Sequence, residues 1–303
     1  MLAAPPPLTP RPDHVPEELV VDHDYVNLAG MEELGVYRAS KRLHDGPDII
    51  WSPRHGGHWM VTRAEDVKFV QENYEIFSHE EFMIPRVLMP FKPVPLAIDP
   101  PKHARYRAVL NPGFTPSKVA KMRDEARALT IELTEGLKPA GHCEFLSQFA
   151  RIMPVTMFLR IVDLPLDKRE QFVEWGLAIM SAYDPDERRN AQIRVREYLK
   201  AVLDEREGGE GEDLLTRVAG WRSNPRFEND EETLSMASLL FVGGLDTVAS
   251  SLSYIVHYLA QHPEQQQRLR DEPDIIPRAT EEFLRRFGLS NTGRILTRDF
   301  EYK

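Results

Sequence analysis

The sequence predicts a mainly α-helical protein with a small β-sheet region. Three observations carry this. Apolar residues recur at helical spacing through most of the chain beyond residue 117. Two short strand candidates near residue 50 flank a glycine-rich turn. The balance of 42% hydrophobic and 28% charged residues is ordinary for a globular chain that buries a sizeable core. At 303 residues the chain has room for one large domain or two ordinary ones. We read an extended arm over residues 1–20 and a single domain over residues 21–303.

The formal net charge of -10 disfavours nucleic acid, because phosphate binding wants clustered Lys and Arg. The single cysteine, Cys143, excludes an internal disulfide and suits a reducing cytoplasm. The N-terminus is Pro-rich and has no apolar core segment, so no secretion signal is visible and the arm reads as lying on the surface or disordered.

In chain order, Met31 to Leu43 has helical spacing. Ile49–Ser52 and Trp59–Thr62 read as a hairpin around His55-Gly56-Gly57-His58, and Ala64 to Asn73 as an amphipathic helix. Residues 82–101 are apolar but punctuated by proline, which excludes regular helix and central strand; such a segment covers something or lines a pocket. A helix follows Asp99-Pro100-Pro101, with Asp99 as its expected cap. Further helices are expected near 117–138, 145–162, 167–181, 186–206, 230–261, 263–271 and 275–287. Arg294–Thr297 and Asp299–Tyr302 read as strand without a pairing partner, so the sequence looks cut short.

The helix at 230–261 opens on acidic Asp230-Glu231-Glu232, favourable at a helix N-terminus. From Met236 to Val256 its only charge is Asp246. The length approaches a membrane span, but two glycines, several hydroxyls, the central acid and the lack of a basic flank argue for a buried core helix instead. Gly243 and Gly244 cost roughly 1 kcal/mol each against alanine there. Asp246 puts an acid in an apolar centre, with the Thr247 hydroxyl beside it. One reading is a ligand pressed against bare backbone, a locally widened helix and an acid–alcohol proton relay. The other is close helix packing at the glycines, with Asp246 neutralised by a buried arginine.

Glu282 and Arg285 stand at i,i+3 and can pair on one helix face, by default as a solvated surface pair. His103 and Arg107 stand at i,i+4 and can together grip an anion, and Arg294 could add a third contact.

In order and spacing, Asp99-Pro100-Pro101 with His103 and Arg107, Gly243-Gly244-x-Asp246-Thr247 and Glu282-x-x-Arg285 resemble the cytochrome P-450 superfamily of haem-thiolate monooxygenases. The runs FVGGLDTVASSLS, HPEQQQRL, IPRATEEFLRRF and GRILTRDFE resemble the soluble bacterial camphor-monooxygenase group, most strongly in the last seventy residues. The resemblance implies haem b as cofactor. It implies Gly243 and Gly244 over its distal face, and Asp246 and Thr247 as the pair that delivers protons to iron-bound dioxygen. His103, Arg107 and Arg294 would hold the propionates, and Glu282 with Arg285 would form a structural ion pair. It also implies electrons from a 2Fe-2S ferredoxin and its NAD(P)H-dependent reductase, met by Lys102, Arg105 and neighbouring cations unless these are ordinary solvated charge.

Two departures stand out. The group's substrate-holding tyrosine is matched by Phe91, and Ser290 and Thr292 differ from the apolar and acidic residues expected nearby. The resemblance therefore implies a small hydrophobic terpenoid or norisoprenoid other than camphor, held by shape, with Phe91, Leu239 and Val242 as walls. The axial cysteine loop is absent, and Cys143, far upstream and read as a half-buried helix-start residue, is not a substitute. A haem-free helical binding or interaction protein of the same fold is the alternative.

Overall fold

The structure, a computed structural model, describes residues 7–84, 91–181, 184–222, 224 and 230–302. They fall into two compact units, one of Met1–Leu88 with Asn291–Lys303 and one of Met89–Ser290.

The first unit carries helices α1 (Met31–Leu34), α2 (Val36–Ala39) and α3 (Ala64–Glu72), and two antiparallel strand pairs, β1 (Ile49–Ser52) with β2 (His58–Val61) and β3 (Phe77–Ser78) with β4 (Ile295–Leu296). The helix expected over residues 31–43 is broken, because Gly35 takes φ 75° and Ser40–Asp45 tightens into a 3-10 helix. The hairpin forms as expected, with Ile49 opposite Val61 and Ser52 opposite His58. Its turn needs Gly57: φ is +80°, and a Cβ there would lie 2.7 Å from the Trp51 ring. The N-terminal arm lies on this hairpin. The Thr9 amide donates to the Pro53 carbonyl at 2.8 Å, the Val21 amide donates to that of Trp51 at 3.0 Å, and Val15 is fully buried.

The strand expected at Arg294–Thr297 is realised as β4, and the expectation that it lacks a partner is corrected. Phe77 stands opposite Leu296, and the Thr297 amide donates to Ile76 at 2.9 Å. Asp299–Tyr302 is not strand; Phe300 instead packs its ring against Phe77 at 5.2 Å and Phe69 at 6.0 Å.

The second unit is helical: α4 (Lys102–Leu110), α5 (Pro116–Leu137), α6 (Ile152–Ile161), α7 (Arg169–Ser181), α8 (Pro185–Arg206), α9 (Leu214–Gly220), α10 (Asp230–Gln261), α11 (Pro263–Asp271) and α12 (Ile276–Arg286). Three local expectations change. Asp99 does not cap α4 with its side chain; Pro101 is the cap residue, and the His103 amide donates to the Asp99 carbonyl at 3.0 Å. A π-helical turn, Leu146–Ala150, precedes α6. Helix α9 is too short for its periodicity to show, and it is fixed by Asp213, whose carboxylate accepts from the Leu215 and Thr216 amides at 2.9 and 3.0 Å.

The core of this unit gathers on one face of α10. Leu159, Phe172, Leu199, Leu215 and Phe241 are fully buried. The Phe172 ring stands edge-on to both Tyr198 and Phe241 at 5.2 Å. Such pairs add about 0.5–1.5 kcal/mol each beyond the area they bury. Of the proline-rich segment, residues 85–90 lie outside the described residues; beyond them Val94, Ala97 and Ile98 are buried.

The expectation that α10 is buried nearly all round is corrected. Its stripe through Met236, Phe241, Leu245 and Ala249 is buried, yet only 17% of its most apolar eighteen-residue stretch is. Neighbouring helices cover one side, and apolar composition cannot say which side is covered. Length and hydropathy alone would let α10 cross a membrane, which is weak evidence for a single helix.

Candidate haem and oxygen site

Helix α4 starts immediately after two prolines that cannot donate to a preceding turn. This sets His103 and Arg107 one turn apart on one face. A cleft of about 260 Å³ forms there, lined by both residues, by Leu96 and Phe114, and by Met236 and Leu239 of α10. Burial pushes the His103 imidazole below its usual pKa, and the neighbouring Arg107 charge lowers it further against the opposing pull of Asp99. At neutral pH His103 is therefore an uncharged hydrogen-bond donor, and Arg107 carries the charge. A guanidinium and an imidazole at the edge of an apolar cleft suit an apolar molecule that carries an anionic group.

The cleft is held by a contact that sequence reasoning missed. The Tyr106 hydroxyl, on a fully buried side chain, donates to Glu232 Oε1 at 2.7 Å. Lys102 Nζ lies 3.6 Å from the same carboxylate, so α4 is fastened to the start of α10. The acid run Asp230–Glu232 was legible only as a helix start; that Glu232 has a tertiary partner leaves no local signal.

One turn beyond Leu239, the structure sets aside a part of each reading of the glycine pair. A Cβ on Gly243 or on Gly244 would meet nothing within 4 Å, so close packing among the described residues does not explain them. The helix runs on as regular α-helix, which corrects the expected local widening. Instead the Thr247 hydroxyl donates to the Gly243 carbonyl at 3.2 Å, the i−4 back-bond open to a threonine within a helix. Asp246 is exposed, which corrects its expected burial. It also lines a water-sized cavity of about 30 Å³ with Arg151, Val155, Gly176 and Leu245.

The remaining candidates are not all brought together. Val242 is half-buried and packs against the core. Phe91 is half-buried with the Arg196 guanidinium 4.5 Å from its ring centre. Ser290, in the second unit, is exposed. Thr292 and Arg294 belong to the first unit, Thr292 exposed and Arg294 donating to the Gly293 carbonyl at 2.8 Å. Glu282 and Arg285 form a two-pronged pair, both bonds 2.7 Å, and it is solvent-exposed. The Arg285 hydrogen bond pulls the Glu282 carboxyl below its usual pKa. Cys143 is exposed, not half-buried, and lines neither cavity.

The family model for cytochrome P-450 matches residues 213–282. Over 97% of its length the chain is 32% identical to the probable cytochrome P-450 127A1 of Sinorhizobium fredii, covering 73% of that protein. The chain belongs to the cytochrome P-450 superfamily. Nocardicin C N-oxygenase of Nocardia uniformis is 30% identical over 80% of the chain and 64% of its own length. The solved structure of cytochrome P-450 CYP101C1 is similar at a TM-score of 0.86 and 31% identity, over 96% of this chain and 74% of that one. Cytochromes P-450 are haem b monooxygenases, and the mainly helical fold with small sheets is theirs. The α10 run Gly243–Thr247 falls inside the matched segment.

Proposed function

We propose that this cytochrome P-450 hydroxylates a small hydrophobic terpenoid or norisoprenoid in the cytoplasm, with O2 and with electrons from a 2Fe-2S ferredoxin and its NAD(P)H-dependent reductase. The observation that carries the reading is the apolar cleft edged by His103 and Arg107, one helical turn before two glycines whose missing side chains nothing among the described residues replaces.

The residues present fit haem b at its rim and on its oxygen side. With haem bound, Arg107 would pair with a propionate and His103 would donate a hydrogen bond to one; Arg294, which belongs to the first unit, is the third candidate. Haem, when bound, supplies the dioxygen activation that oxidises a C–H bond. No axial thiolate is assigned, since Cys143 does not fit that role.

The chain's own residues handle protons and shape. Gly243 and Gly244 leave room beside the backbone. Asp246, open to solvent, can take up a proton at its carboxylate and pass it to the Thr247 hydroxyl. That hydroxyl is engaged with the Gly243 carbonyl and must turn from this weak 3.2 Å bond to donate elsewhere. Leu239, Val242, Phe91, Ser290 and Thr292 are the candidate substrate contacts, and a phenyl ring at residue 91 offers shape but no hydrogen bond. Arg105 is exposed on α4 and available to an acidic ferredoxin, whereas Lys102 is drawn to Glu232.

The test is a reconstituted turnover of cyclic terpenoids under isotopically labelled dioxygen. One labelled oxygen atom in a hydroxylated product is expected. Product without label, or no product from any apolar cyclic substrate, overturns the reading.

A further inference from the structure

We infer that Arg196 is a positioning residue that sets where the Phe91 ring stands, and through it the shape of substrate accepted. The inference rests on the reading of Phe91 as a substrate wall.

Arg196 lies on α8, and its side chain is only 13% exposed. Its guanidinium carbon sits 4.5 Å from the centre of the Phe91 ring, within cation–π range. The same group reaches α10 twice. Nη2 bonds Glu231 and Nη1 donates to Ser238 Oγ at 3.2 Å. Ser238 is itself fixed: its hydroxyl proton goes to the Leu234 carbonyl at 2.7 Å, which leaves its oxygen to accept from Arg196. Ser238 directly precedes Leu239, a lining residue of the cleft. One planar cation thus ties α8, α10 and residue 91 together.

The geometry assigns the work to the ring contact. Glu231 is 56% exposed, so its ion pair is screened and adds little by itself. The phenyl face has no donor or acceptor of its own to hold it. Residue 91 itself belongs to no helix or strand, and the guanidinium lies over the face of its ring. A lysine would keep a charge but lose the flat stacking surface and the fork that reaches Ser238 and Glu231 at once.

The experiment places 4-fluorophenylalanine at residue 91 and reads its fluorine resonance in Arg196→Met, Arg196→Lys and Glu231→Gln. In the haem-loaded protein, binding of camphor and of a larger cyclic ketone is titrated in Arg196→Met, in Phe91→Leu and in the double variant. The expected result is a shifted or broadened resonance in Arg196→Met, a smaller change in Arg196→Lys and none in Glu231→Gln. Ketone binding should change about threefold to tenfold in Arg196→Met, and that change should vanish in the Phe91→Leu background. An unchanged resonance in Arg196→Met overturns the inference, as does an Arg196→Met binding effect that persists without the ring. Phe91→Leu without effect on either ketone sinks instead the reading of Phe91 as a wall.

Discussion

Tyr106 and Glu232, 126 residues apart in sequence, share a 2.7 Å hydrogen bond that fastens α4 to the first turn of α10. The cleft between His103, Arg107 and Leu239 exists because these two helices are held together. Removing the hydroxyl takes a buried donor from the Glu232 carboxylate and leaves Lys102 beside it. Tyr106→Phe is therefore expected to lower unfolding free energy by about 1–3 kcal/mol, read from urea unfolding. A loss below a few tenths would mean that water replaces the bond.

Arg107 brings the permanent charge to the cleft and His103 a neutral donor. Arg107→Leu is expected to weaken haem retention about tenfold to a hundredfold, measured by haem transfer to apomyoglobin. His103→Gln keeps a neutral donor and is expected to cost much less. Equal losses in the two variants would contradict the assignment of the main charged contact to Arg107.

Thr247→Ala removes the only hydroxyl within the Gly243–Thr247 run. Substrate binding and electron uptake are expected to persist while the share of electrons reaching product falls by roughly a hundredfold, with peroxide as the other product. Unchanged coupling would remove Thr247 from the proton path.

Phe91 cannot donate to a ketone oxygen. A spin-state titration is expected to show camphor binding no more tightly than larger cyclic ketones. Tight, selective camphor binding would contradict the shape-based reading of the pocket.

The hairpin of the first unit carries a pH dependence of its own. Burial pushes His23 and His58 below their ordinary pKa, with the nearby Arg42 charge adding to the effect at His23 and the Arg54 carbonyl opposing it at His58. The unfolded chain then binds more protons than the folded one as pH falls through about 6.5, so stability drops on acidification below that value. Asp24 adds a second step. Burial alone would raise its pKa, but hydrogen bonds from Asn27, His55 and Val26 outweigh this and hold it at about 2, against an ordinary 3.8. Its contribution is present above the ordinary value and is lost as pH falls toward 2. Thermal melts between pH 7.5 and 5 are expected to show the first loss, reduced in His58→Gln.

Much of this was legible in the sequence, for physical reasons. Long periodic runs such as Pro185–Arg206 and Asp230–Gln261 declare helices because 3.6-residue spacing is local. The hairpin declared itself through Gly56 and Gly57. The motif residues His103, Arg107 and Gly243–Thr247 were visible because they contradict their surroundings. What stayed hidden depends on distance in the chain. Phe77 as the partner of Leu296, Glu232 as the acceptor of Tyr106 and Arg196 over Phe91 are all tertiary choices that no local pattern encodes. The covered face of α10 was equally hidden, since an almost wholly apolar helix has no polar side to point outward.

The central claim is that the cleft and the Gly243–Thr247 run serve a bound haem. The absorption spectrum of the protein purified from expression of its native gene tests this most directly. The account predicts a haem Soret band that moves, on reduction under carbon monoxide, to the position diagnostic of a haem-thiolate centre. A colourless protein that takes up no haem would contradict it and favour a haem-free helical binding protein on the same fold.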